Sequence, residues 1–268
     1  RTLGETHPST LLTIQHIARL EGQLGRWRAA RDLARRAADA ARDRLGPRHP
    51  YAIVLRHEAG IAALELGDLH EARLALTEAS DLFELTAGAD HPKTLAARAS
   101  VAHALLLDGE PEKARDLLAR LYDEAARRLG PDHPEVLTLR NNYGLALITL
   151  GDHAGAAALF EDLVARSARV LGPDHVHTLQ RTQKLAHARL DAGDPAGARA
   201  LAEANLAALA RVLGDDHPDT HGQRVILVGA LRALGRPDAA EPHARAALAG
   251  LRARLPADHI AVRDAVLA

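Results

Sequence analysis

The sequence predicts an all-α protein built as an array of antiparallel helix pairs, six complete and a seventh partial, and three observations carry that prediction. The first is a histidine ladder, His7, His49, His91, His133, His175, His217 and His259, with a constant spacing of 42 residues and no insertion. A fixed period between about 20 and 50 residues marks stacked copies of one supersecondary unit. The second is a glycine ladder of the same period: Gly25, Gly67, Gly109, Gly151, Gly193 and Gly235. The third is the pattern between these marks. Ala156, Leu159, Phe160, Leu163 and Val164 fall at i, i+3, i+4, i+7 and i+8, one apolar stripe of an amphipathic helix.

Each repeat then reads from its own punctuation. The loop Leu129-Gly130-Pro131-Asp132-His133-Pro134 is the clearest copy of the boundary between repeats. Gly46, Gly88, Gly130, Gly172 and Gly214 end one helix, and Pro8, Pro50, Pro92, Pro134 and Pro218 open the next; Val176 and Ile260 stand where that proline is missing. The opening helix of the fourth repeat carries Val136, Leu139, Tyr143, Leu147 and Leu150 at three- and four-residue steps. It ends at the second glycine ladder, where Asp68, Glu110, Asp152 and Asp194 follow as candidate N-caps, with Pro111, Pro195 and Pro237 in the first turn of the returning helix. The repeats span 7–48, 49–90, 91–132, 133–174, 175–216 and 217–258, with a partial seventh at 259–268, in a single array over 1–268. Position 1 is Arg and the chain opens inside a loop of the repeat, so it is read as part of a longer polypeptide. End repeats are expected to be polar or covered. The short apolar segment Ile260–Leu267 makes a poor cap, so its end of the array is expected to be covered or continued.

Composition excludes several functions. The net charge is −1 and aromatic residues make up 2% of the chain, which is poor material for nucleic-acid binding. Cysteine is absent, removing disulfide, thiolate and zinc–thiolate chemistry. No apolar run is long enough to span a bilayer. Lysine occurs only at 93, 113 and 184 against many arginines and alanines, a bias of high-GC bacterial genomes. A cytoplasmic location is expected.

The small residues narrow the repeat type. Ala30, Ala72, Ala114, Ala156, Ala198 and Ala240 form a uniform column in the second helix. Twelve residues earlier stand Ala18, Gly60, Ala102, Gly144 and Ala186, with Val228 as the exception. A propeller would need strand-forming, aromatic-rich repeats, and HEAT or armadillo units lack this pattern. The pattern resembles the tetratricopeptide repeat (TPR), lengthened by about one turn per helix. The segment Leu129 to Gly144, with its Asn141-Asn142 pair, resembles the kinesin-light-chain type. That resemblance implies a right-handed superhelix whose first helices line a concave groove, with the Asn pair helping to hold an extended ligand. The other repeats depart from the pair, as Gln15-His16, His57-Glu58, Ala99-Ser100, Gln183-Lys184 and Val225-Ile226. Arrays of this type occur at the C-terminus of bacterial signal-transduction NTPases (STAND proteins) and in stand-alone adaptors.

Candidate chemistry follows from what is and is not repeated. Ladder histidines in successive repeats stand at least a helix-packing distance apart, roughly 8–10 Å, so they cannot share one metal ion. They are read as caps of the incoming helix. The expected ligand surface is the groove formed by Val54, His57, Ile61, Leu64, Ala99, His103, Leu106, Thr138, Asn141, Asn142, Leu145, Ile148, Gln183 and His187, with an apolar middle and polar flanks. The plain alternative is that several of these pack against the next repeat. His57, His103 and His187 could add pH sensitivity, though solvated or satisfied histidines are commoner. Arg56, Arg98, Arg140 and Arg224 form a column that is read as salt-bridged to neighbouring acids such as Glu58. The arginines between Arg26 and Arg44, interleaved with Asp32, Asp39 and Asp43, are read as a solvated face. No phosphate loop, zinc-protease motif or nucleophile elbow occurs. The expected function is a non-catalytic, cofactor-free module binding a protein or peptide, or another domain of its own chain, as sensor or scaffold of a STAND-type regulator. The alternatives are a free adaptor or a regulatory array beside a hydrolase.

Overall fold

In a computed structural model, which describes residue 4 and residues 6–252, the described residues form twelve α-helices and no strand. The first helices of the pairs are α1 (Pro8–Gln23), α3 (Pro50–Glu65), α5 (Pro92–Leu107), α7 (Pro134–Thr149), α9 (Val176–Asp191) and α11 (Pro218–Ala233). The second helices are α2 (Trp27–Leu45), α4 (Leu69–Ala87), α6 (Pro111–Leu129), α8 (His153–Leu171), α10 (Pro195–Leu213) and α12 (Pro237–Arg252). The partial seventh repeat, His259 and Ile260–Leu267 lie outside the described residues. The chain divides into two compact units, Arg1–Ala146 and Leu147–Ala268.

The ladders do what their spacing predicts. In α1, α3, α5, α9 and α11 the preceding histidine is the N-cap, and its side chain accepts from the backbone N–H two residues on. His133 Nδ1 accepts from Glu135 N at 3.2 Å in the same way at α7. The ring nitrogen thus occupies one of the four amide donors that a helix start leaves unpaired. Three residues before His133, in the same loop, Gly130 has φ 88° and closes α6 through its N–H to the Ala126 carbonyl, a left-handed conformation that costs glycine little. Asp68, Asp152 and Asp194 cap α4, α8 and α10. Glu110, expected to do the same for α6, makes no side-chain cap. Its carboxylate instead takes Arg73 at 2.8 Å and Lys113.

In the first unit, the column of small residues is where helices meet. A Cβ on Gly60 of α3 would lie 2.8 Å from Leu76 of α4, inside van der Waals contact. Ala63, Leu64, Ala72, Leu76 and Ala104 form one buried cluster joining α3, α4 and α5. Leu95, Ala102, Ala114, Leu118, Leu121, Val136 and Leu139 belong to another, joining α5, α6 and α7. In the first pair, Ile17 and Leu20 of α1 and Leu24 at its C-cap are exposed and apolar.

The second unit departs from this apolar pattern. The column that holds Leu55, Ala97 and Leu139 continues as Arg181 and Gln223, both buried. Arg181 donates to Ser167 Oγ at 2.6 Å, and Ser167 bonds Thr178 at 2.9 Å. Asn205 Nδ2 donates to Gln223 Oε1 at 2.7 Å and to the Leu179 carbonyl at 3.0 Å. Burial lowers the Arg181 pKa, because desolvation disfavours the charged form.

Candidate functional site

In the first unit, α5 and α7 lie side by side and enclose a depression of about 240 Å³. Helix α5 contributes Leu95, Ala96, Ala99, Ser100 and His103; α7 contributes Glu135, Thr138, Leu139 and Asn142. The helical period brings these together, since residues three and four apart share a face. Four expected site residues therefore meet here: Ala99, His103, Thr138 and Asn142. Ala99 forms floor and is itself buried, while His103 and Thr138 stand exposed at the rim.

Ser100 and Glu135 also line the depression and lie outside the expected set. For Ser100 the sequence holds a signal, because it stands one repeat before Asn142 in the same column; for Glu135 it holds none. Side chains 42 residues apart in stacked copies occupy the same face.

Hydrogen bonding sorts the remaining candidates. The Ser100 hydroxyl donates to the Ala96 carbonyl at 3.0 Å and lies 3.1 Å from His57 Nε2. His57 packs edge-on against Phe83, with ring centroids 6.4 Å apart. Burial, aided by the Arg19 charge, lowers its pKa to about 4. His57 is thus a neutral tie between α3 and α5, not a proton switch near neutral pH. Arg19 Nε donates to Glu58 Oε1 at 2.8 Å, a second tie between first helices. Asn141 Nδ2 donates to Asn142 Oδ1 at 3.2 Å, so the asparagine pair is bonded to itself and Asn142 keeps its own amide hydrogens.

Val54 and Leu64 are buried, Val54 with Ile53, Ala79 and Phe83, Leu64 with Ala72 and Leu76. These two pack against neighbouring helices, the plain alternative noted above, because tight helix stacking reaches up to the groove's edge. Ile61, Leu106, Leu145 and Ile148 are half-buried.

In the second unit the corresponding face is filled by its own side chains. Gln183 Nε2 donates to the Asp219 carbonyl at 3.2 Å, and Gln180 Nε2 to Asp219 Oδ2 at 2.9 Å. A Cβ on Gly222 would meet Gln183 Nε2 at 2.9 Å, and one on Gly229 would meet Leu190 at 2.9 Å. The glycines of α11 let side chains of α9 lie across it. Lys184 is desolvated and its pKa falls, partly offset by Asp219. His187 lies 3.4 Å from Asp191.

The arginine column is paired, though not with Glu58. Arg56 meets Glu78 at 2.7 Å, Arg98 meets Glu84 at 2.6 Å and Arg224 meets Asp215 at 2.7 Å. Arg140 donates to Tyr122 Oη at 3.1 Å and its guanidinium lies 5.4 Å from that ring's centroid. Around α2, Arg31 and Arg35 meet Asp32 and Glu71, and Arg42 meets Asp39 and Asp43. Among the described residues no three His, Cys, Asp or Glu converge to hold a metal ion, and no helix is long and apolar enough to cross a membrane.

Stacked helix pairs with uniform caps and a groove of first helices define a class, and comparison with known proteins places the chain within it. One tetratricopeptide-repeat family model matches residues 10–85 and 97–169, and a second matches 178–219. The chain belongs to the tetratricopeptide-repeat family, and its fold is the all-α solenoid of that family. A crystal structure from Podosopora anserina, described as a kinesin light chain with nearly identical TPR-like repeats, is 25% identical with a TM-score of 0.64 over 78% of this chain and 99% of that one. BtubC (BKLC) from P. vanneervenii is 19% identical, TM-score 0.66, over 87% and 91%. Bacillus thuringiensis PlcR in complex with the peptide PapR7 and DNA is 12% identical, TM-score 0.60, over 77% and 71%. No curated protein matches the chain. It is a repeat module of the protein-binding type.

Proposed function

We propose that the chain is a non-catalytic sensor or scaffold region of a larger bacterial, cytoplasmic regulator of the STAND type, and that it holds a protein or peptide ligand on the first-helix face. The groove between α5 and α7 carries this reading. It combines an apolar floor of Leu95, Ala96, Ala99 and Leu139 with a polar rim of Glu135, Thr138, Asn142 and His103, the anatomy of a protein-recognition surface. The peptide bound by PlcR, on a fold of the same kind, supports a peptide as ligand here.

The test is affinity purification from the native organism with the wild-type chain and a Thr138→Arg/Asn142→Arg double variant. Thr138 is exposed and Asn142 half-buried on the groove face, and a native circular dichroism spectrum checks that the variant folds. A protein retained by the wild type and lost by the variant supports the reading. An identical retained set in both refutes the groove. Sequencing the native polypeptide decides the context: a P-loop NTPase domain beside the array supports a regulator, a hydrolase domain makes it that enzyme's regulatory array, and no catalytic domain makes the chain an adaptor.

A further inference from the structure

We propose that the α5–α7 groove selects an extended peptide segment in which a lysine or arginine stands next to an apolar residue, with Glu135 receiving the cation. This rests on the groove reading above and adds the ligand's chemistry.

The Glu135 backbone N–H is held by His133, but its carboxylate has no ion pair or hydrogen bond among the described residues, whereas the arginines of the neighbouring column are engaged by other groups. Lys93, the equivalent residue one repeat earlier, does not line the groove. The Thr138 hydroxyl donates to the Pro134 carbonyl at 3.0 Å, so its oxygen faces a ligand as an acceptor. The Glu135 end of the groove is thus made of acceptors, one of them a full negative charge. At the other end Asn142 Oδ1 already accepts from Asn141, leaving the Asn142 amide hydrogens to donate. A cationic donor fits the first end and a peptide carbonyl fits the second.

Spacing sets the footprint. Glu135 and Asn142 are seven residues apart on one helix, about 10 Å at 1.5 Å per residue. Extended chain advances about 3.3 Å per residue, so three peptide residues span that distance. The first would place its basic side chain at Glu135. The next would set an apolar side chain on Ala96 and Ala99. The third would offer its carbonyl to Asn142.

The experiment is selection of phage-displayed random dodecamers on the whole chain, followed by affinity measurement of an enriched peptide against variants. Enriched sequences should carry Lys or Arg beside an apolar residue. Glu135→Gln should weaken such a peptide about tenfold, the loss of a hydrogen bond to a charged group. Glu135→Arg should weaken it further and partly restore a peptide whose basic residue is changed to Glu. Ala96→Trp, at an exposed position, should block the groove while the circular dichroism stays native. Enriched peptides without a basic residue, or indifferent to Glu135→Gln but blocked by Ala96→Trp, overturn this inference and leave the groove reading standing. Indifference to Ala96→Trp, or no enrichment at all, overturns both.

Discussion

Exchanging residues within one column of the repeat should have consequences of very different size in different repeats. Leu20 of α1 is 56% exposed, whereas its equivalents Ala62, Ala104, Ala146, Ala188 and Ala230 are at most 2% exposed. Ala104 sits in a cluster with Ala72 and Leu76 of α4, all three without accessible surface. Ala104→Leu therefore gives repeat 3 the residue that repeat 1 carries naturally, at a place with no room for it. Overpacking a filled core costs about 1–3 kcal/mol. At roughly 2–4 °C per kcal/mol for a chain of this size, the midpoint should fall by about 2–12 °C. Leu20→Ala removes a side chain more than half in water, so its cost should be about 1 kcal/mol or less. Thermal unfolding followed by circular dichroism measures both. Because repeat arrays can open in parts, amide exchange should also show the loss of protection at α4 and α5. An Ala104→Leu midpoint within a degree of wild type, or a larger loss for Leu20→Ala, would refute the claim that this column marks close helix approach.

Other outcomes follow from the caps, the buried histidine and the glycine contact. His133→Ala leaves the Glu135 amide without its cap and should cost about 1 kcal/mol in urea unfolding, while His133→Asn should cost less; equal losses would show that the histidine acts otherwise. His57 titrates near 4 in the folded chain and near 6.5 when unfolded, so the unfolded state binds the proton first as pH falls. Its contribution is present above about pH 6.5 and is lost between there and pH 4, up to about 3 kcal/mol. The stability of His57→Gln should therefore fall less steeply across that window, and parallel pH profiles of wild type and variant would contradict the assignment. Gly60→Val should destabilise by more than about 1 kcal/mol because even a Cβ there meets Leu76 at 2.8 Å; unchanged urea midpoints would show that α3 and α4 can separate freely.

What could be read from the sequence was what the chain repeats. The histidine caps, both glycine ladders and the alanine column are each stated six times or nearly so, and each is a backbone requirement that only a few residue types meet: a ring nitrogen for an amide, a positive φ, a close approach. The resemblance to tetratricopeptide repeats followed from the same columns. The groove is half legible. Thr138, Asn142 and His103 line one depression because one face of a helix is periodic. Val54 and Leu64 share the expected face but are buried, because sequence gives the angle of a side chain around its helix but not how far the neighbouring helix reaches over it. The polar core around Arg181 and Asn205 is hidden for a related reason: it occupies columns held by Leu55, Ala97 and Leu139 and by Ala79, Leu121 and Leu163 in the preceding repeats.

Architecture and specificity occupy different columns of the array. The column two residues after the histidine ladder reads Ser9, Tyr51, Lys93, Glu135, His177 and Asp219, six different residues in six repeats. The histidine column beside it holds one. A position that the fold requires must be the same in every copy, since every copy makes the same contact. A position that changes charge, size and polarity from copy to copy is one whose identity the stacking leaves free. It lies at the first turn of each first helix, where at α7 it reaches the groove. Recognition can vary there without cost to the array, so Glu135 can define a ligand preference that the neighbouring repeats do not share.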